Sequence, residues 1–128
     1  MEKIEAEIVM LSTEDGGRIS PLSGAAFGGI YRSHIVIGDR NQREAIVEVT
    51  PEHPRTLTEK YQGVAFIEGP EVEFVPVNER IHVVMALMYF PDNVYEDVIP
   101  GATFTLREGG KIVGHGEILK RWSDEKNT

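Results

Sequence analysis

Ala102-Thr103-Phe104-Thr105-Leu106-Arg107-Glu108-Gly109-Gly110-Lys111-Ile112-Val113-Gly114-His115-Gly116-Glu117-Ile118-Leu119 reads as two extended segments joined by a tight turn. The segments are Ala102 to Arg107 and Lys111 to Leu119. Glu108-Gly109-Gly110 between them is hairpin chemistry, because glycine reaches the positive φ of a tight connection without a Cβ clash. Gly110 is the residue expected to hold that conformation. A connection this short joins antiparallel strands, since parallel pairs need a long crossover.

The same two-residue period runs outward from this hairpin. Along residues 3–11, Ile4, Ala6, Ile8 and Met10 fall on one side and Glu5, Glu7 and Val9 on the other, as in a half-buried strand. Further strands are expected at Ile30 to Gly38, Glu44 to Val49, Val64 to Ile67, Val72 to Val75 and Arg80 to Tyr89. The last is expected to be the longest and to be buried on both faces for part of its length. Residues 19–29 read as a connecting loop. Pro51 and Pro54 end the third strand. Thr58-Glu59-Lys60-Tyr61 reads as one helical turn or as loop. Phe90 to Gly101 is a loop with a short extended piece at Val94-Tyr95. About seven or eight short strands with Gly and Pro turns exclude a helix bundle and imply a barrel or a sandwich, which periodicity does not separate. The expected organisation is one β-barrel domain over residues 1–122 and a polar, frayed tail over residues 123–128.

Composition narrows the class. The 128 residues are 41% apolar, enough for one domain core, and the net charge is -8. That charge favours solubility and disfavours phosphate backbones. There is no cysteine, which removes disulfides and thiolate metal sites and permits a reducing compartment. No apolar run is long enough for a helical membrane span, and Met1-Glu2-Lys3-Ile4-Glu5 lacks the pattern of a signal peptide. A cytoplasmic protein without a membrane segment is expected.

Three blocks resemble the third, C-terminal domain of bacterial elongation factor Tu. Glu5-Ala6-Glu7-Ile8-Val9-Met10-Leu11-Ser12-Thr13-Glu14-Asp15-Gly16-Gly17-Arg18 is similar to that domain's opening strand, acidic pair and Gly-Gly-Arg. Tyr31-Arg32 is similar to its Tyr-Arg pair. Phe104 to Gly116 is similar to its Arg-Glu-Gly-Gly-basic-x-Val-Gly-x-Gly block. The resemblance implies an all-β, six- to seven-stranded antiparallel Greek-key barrel. In the family this barrel follows a GTPase domain and a second barrel, and it touches the T stem of aminoacyl-tRNA. The turn Glu108-Gly109-Gly110 matches that contact surface. The sequence also departs from the family. It has no Gly-x-x-x-x-Gly-Lys-Ser/Thr phosphate loop. Ser33 and His34 replace the family's proline and glutamine, and Pro76-Val77-Asn78 replaces its Pro-Gly-Asp turn. Asn41 to Glu71 has no counterpart.

The candidate contact residues are Arg18, Tyr31, Arg32, His34, Arg107, Glu108, Gly109, Gly110 and Lys111. Each also has an ordinary structural reading. Glu14 and Asp15 beside Arg18 suggest a local ion pair. Arg107 and Lys111 would form a solvated rim with Glu108 and Glu117, and removal of either charge would then change stability by only about 0.5 kcal/mol. His34, His53, His82 and His115 show no ligand spacing, so no metal and no cofactor are expected. Ser23 precedes Gly24, but no Gly-x-Ser-x-Gly elbow is present. Adjacent carboxylates such as Glu14-Asp15, Glu96-Asp97 and Asp124-Glu125 point to opposite faces of an extended chain and build no acid/base pair. No catalytic residue is therefore assigned. Phe27, Tyr31, Tyr61, Tyr89, Phe90, Tyr95 and Trp122 either form an exposed patch for a protein partner or plug the barrel ends.

The leading expectation is a non-catalytic protein–protein interaction or regulatory module without GTPase activity. The alternatives are a tRNA- or RNA-binding accessory module, disfavoured by the net charge, and an immunity- or defence-associated protein whose partner is encoded beside it. Oligomeric state is open, because edge strands of an incompletely closed barrel would pair between copies.

Overall fold

The alternation in the first segment is satisfied by β1 (Glu2–Met10), whose Ile4, Ala6, Ile8 and Met10 are buried while the residues between them are partly exposed. The computed structural model describes residues 1–53 and 55–123. After β1 come β2 (Arg32–Ile37), β3 (Val47–Glu48), β4 (Thr56–Leu57), β5 (Gln62–Glu68), β6 (Arg80–Leu87), β7 (Thr103–Glu108) and β8 (Lys111–Ser123). Six of these close into a barrel in the order β1-β6-β5-β2-β7-β8, with β8 returning to β1 and every pair antiparallel. Closure gives every barrel strand a paired neighbour on both sides, so the barrel has no edge strand. The remaining strands, β3 and β4, make a separate two-stranded ribbon.

Inward side chains fill the barrel. Ile4, Ile35, Val64, Phe66, Met85, Phe104, Leu106, Val113 and Ile118 have no exposed surface. Register shifts between Glu5 and Ala6 and between Leu106 and Arg107 place bulges on β8, which raise the local twist that closure requires. The longest strand is β8 with 13 residues, not β6 with 8. Only the last part of β6, from Met85 to Leu87, is buried on both faces.

Four expectations are corrected. Residues 72–75 form no strand; this segment is tied to the connection between β1 and β2 by Val75 N–H donating to the Leu22 carbonyl at 2.7 Å and by an isolated bridge from Ser23 to Phe74. Val94-Tyr95 is not extended. Tyr95 has φ 50°, because its buried hydroxyl donates to the Gly63 carbonyl at 2.6 Å and accepts from the Tyr89 N–H at 3.0 Å, which pulls the ring inward. The third strand shrinks to Val47–Glu48, paired with the unexpected Thr56–Leu57, and Thr58 to Tyr61 is irregular. In the β7–β8 turn, Gly109 rather than Gly110 has positive φ, at 59°. The reason is register: Glu108 pairs with Lys111, so β7 runs one residue further and the loop is two residues long. Such loops take glycine at their first central position. The expected tail begins at Ser123, which closes β8, and its other residues lie outside the described ones. No helix among the described residues is long and apolar enough to cross a membrane.

Candidate functional site

The β7–β8 turn organises two charge networks, and neither is a solvated rim. On β7, Phe104 and Leu106 point inward, so Thr105 and Arg107 point outward. Yet Thr105 is 1% and Arg107 0% exposed, because the segment that follows the ribbon lies over them. Arg107 donates from Nη1 to Glu59 Oε1 at 2.9 Å and from Nη2 to Glu59 Oε2 at 3.1 Å, a two-pronged pair. Its Nη1 also reaches the Tyr61 hydroxyl at 2.9 Å and its Nε reaches Thr105 Oγ1 at 2.8 Å. The expected pairing of Arg107 with Glu108 or Glu117 is thereby corrected: the guanidinium is a buried latch, satisfied at every nitrogen. Its hydrogen bonds hold the Glu59 carboxyl down to about 2, aided by donation from Gln42 and the Ile46 N–H and opposed by burial. His34, the β2 partner of Arg107, sets its ring edge-on to Tyr61 at 6.0 Å.

The second network brings Arg18, Tyr31 and Glu108 together. Arg18 Nη1 and the Tyr31 hydroxyl both donate to Glu108 Oε2. The expected pairing of Arg18 with Glu14 or Asp15 does not form; Asp15 instead accepts from Ser12 Oγ at 2.8 Å. Tyr31 rests on Phe66, with ring centres 5.0 Å apart, and burial followed by the Glu108 hydrogen bond pushes its phenol up. The match to Gly-Gly-Arg and Tyr-Arg thus falls on side chains that meet at one carboxylate. Arg32 is not part of this cluster. It is exposed on the outer face of β2, opposite Ala65.

Between the turn and the ribbon lies an open groove of about 670 Å³, lined by Arg43, Arg55, Lys111, Glu44, Val47 and Ile112 among others. Among the described residues Arg55 and Lys111 have no hydrogen-bonding or ionic side-chain partner. Arg43 donates only to the carbonyls of Arg40 and Gln42, at 2.8 and 2.9 Å. The Glu108 carboxylate beside them is already engaged by Arg18. Glu44 is then the one carboxylate of the groove left to face three cations, so positive charge is in excess here, on a chain whose net charge is -8. Arg43, Arg55 and Glu59 were not legible as site residues, and Tyr61, one of the aromatic residues considered, was not linked to Glu59. One signal for the last two exists: Glu59 and Tyr61 are two apart, so in an extended chain carboxylate and phenol share a face.

The histidines do not converge. His115 accepts from Arg40 Nε at 3.1 Å, and burial, with Arg40 and Arg43 nearby, pushes its imidazole down. His82 lies 3.7 Å from Glu7. Among the described residues no group of three His, Asp or Glu side chains is placed to hold a metal. The aromatic residues divide by exposure. Phe27, Tyr31 and Tyr95 are buried, while Tyr89 and Phe90 are 55% and 40% exposed. No protein-family model matches this chain.

Proposed function

We propose that this chain is a non-catalytic, cytoplasmic protein-interaction module, built on a Greek-key barrel of the elongation-factor-Tu third-domain type and working without a GTPase of its own. The observation that carries the proposal is the groove between the β7–β8 turn and the ribbon, where Arg55 and Lys111 stand unpartnered among the described residues beside Arg43. Solvated cations around a concavity cost little in water, and a carboxylate-bearing surface that complements them speeds encounter and fixes register. The turn that presents Lys111 is fixed by its glycines and by the Glu108 network, so the contact is pre-organised.

A pulldown from the native cell lysate tests this, performed with and without nuclease. Protein partners retained after nuclease, and lost with Lys111→Glu and Arg55→Glu, support the proposal. Loss of every partner on nuclease treatment overturns it in favour of the second reading, an RNA-binding accessory module using the same three cations. That reading carries its own signature, since phosphate-driven binding weakens steeply with salt. A net charge of -8 argues against it.

A further inference from the structure

Arg32 takes no part in either network at the turn, and its surroundings are of a different kind. The outward residues Trp122, Lys3, Ala86, Ala65 and Arg32 are successive register partners, a single row crossing five adjacent strands. Two alanines at the middle of that row leave a depression between longer side chains. They floor a groove of about 550 Å³ with Met88, Phe90 and Pro91 in its walls and Arg32 at its β2 side. The adjoining outward position on β5 is Gly63. The Tyr89 ring covers it, so close that a Cβ there would stand 2.3 Å from the ring. Phe90 thus stands exposed at the edge of a methyl-lined floor, next to the Tyr89 that covers Gly63.

The Arg32 side chain is exposed and has no hydrogen-bond, ionic or ring partner among the described residues. The carboxylate that also lines the groove, Glu2, is occupied by Arg121 Nε at 3.1 Å. The site therefore combines an apolar floor without hydrogen-bonding groups, an aromatic wall and one unmet positive charge. We infer that this trough docks a peptide segment of a protein partner, one that presents an aromatic or branched apolar side chain next to a carboxylate. The apolar side chain lies on Ala65 and Ala86 against Phe90, and the carboxylate reaches Arg32. Nucleic acid fits the trough poorly, since a backbone needs several cations in line. One face of Phe90 is also already covered by the Arg121 guanidinium, 5.9 Å from the ring centre. This surface shares no lining residue with the groove at the turn, and the β8 residues that border the two, Ser123 and Lys111, are the opposite ends of that strand.

The test is an amide-shift titration of the full chain with the capped peptide acetyl-Ser-Asp-Phe-Asp-Ser-amide. The controls are a peptide with Ser for Phe, a peptide with Lys for both Asp, and a uridine oligonucleotide. The expected result is a set of shifts confined to Arg32, Ala65, Ala86 and Met88 and their neighbours, absent with both control peptides. Arg32→Glu should weaken binding about tenfold or more, and Ala65→Leu should fill the floor and abolish it. Lys111→Glu should leave this titration unchanged, whatever it does at the other groove. Arg32 is exposed, so Arg32→Glu keeps the fold, which its melting transition verifies. No shifts at millimolar peptide, indifference to Arg32→Glu, shifts confined to the groove at the turn, or equal shifts with the oligonucleotide would overturn the inference.

Discussion

The barrel and the ribbon are held by different physics. The barrel is held by burial: Ile4, Phe66, Met85 and Phe104 are fully enclosed, and each barrel strand is paired with another along both edges. The ribbon buries little of its own, for Ile46, Val49 and Leu57 are all exposed. It is tied down by polar contacts that converge on Glu59, which takes Arg107, Gln42 Nε2 and the Ile46 N–H. Apolar packing spreads its stabilisation over many residues. A buried ion pair concentrates it in two, and fails badly when one is removed.

That contrast sets the largest expected effect. Arg107→Ala should cost about 3–5 kcal/mol in urea unfolding, because Glu59 is left enclosed without its partner. Hydrogen exchange should rise first in residues 43–61. The double variant Arg107→Met with Glu59→Leu should recover most of the loss, since a well-packed apolar pair replaces a buried ionic one at little cost. A loss of only about 0.5 kcal/mol for Arg107→Ala, the value expected of an exposed charge, would mean that the latch does not hold the ribbon.

Acid should break the same contact without mutation. The Glu59 carboxyl lies at about 2 in the folded chain against 4.5 unfolded. Its contribution is therefore complete above pH 4.5 and is lost as pH falls towards 2, in total about 3 kcal/mol. Stability measured against pH should decline more steeply across that window in the native chain than in Glu59→Gln. Parallel profiles would show that Glu59 is not the group responsible.

At the turn, two adjacent glycines should behave differently. Gly109→Ala places a side chain at φ 59° and should cost about 1–2 kcal/mol. At Gly110 an added Cβ would come no closer than 3.4 Å to Leu57 Cδ2 and 3.9 Å to Arg55 Nη2, ordinary contacts, so Gly110→Ala should stay within about 0.5 kcal/mol. Equal denaturant midpoints for the two variants would contradict the register Glu108 to Lys111.

What the sequence discloses follows the same division. Ile4, Ala6, Ile8 and Met10 alternate because one side of β1 faces the core, and a period of two makes that visible. Gly109 and Gly110 mark the hairpin, yet not which of them takes positive φ, because that depends on where β7 stops. The ribbon is illegible, since strands of two residues carry no period and Val47 pairs with Leu57 across a proline-rich connection. Arg107 misleads for a related reason. An arginine in an outward strand position normally meets water, and only the fold brings Glu59 and Tyr61, 48 and 46 residues away, over it. Arg18, Tyr31 and Glu108 were singled out as separate positions. Their meeting at one carboxylate oxygen is a tertiary fact that spacing does not contain.

The smallest stability effect carries the most functional information. Arg107 and Lys111 flank one turn, but the first is enclosed and fully hydrogen-bonded while the second is exposed and unpartnered among the described residues. Lys111→Ala and Arg55→Ala should each change stability by no more than about 0.5 kcal/mol, because neither leaves a buried group unsatisfied. If the groove they line is a contact surface, both should weaken capture of the protein partner from lysate while the melting transition stays in place. The Lys111→Glu variant should weaken it further, because a repelling charge replaces a missing attraction. Unchanged capture with all three variants would reduce the turn to a fold element, with its cations kept for solubility. Weakened capture together with a lowered melting transition would mean that Lys111 supports the ribbon, and that barrel and ribbon share a second fastening besides Arg107 and Glu59.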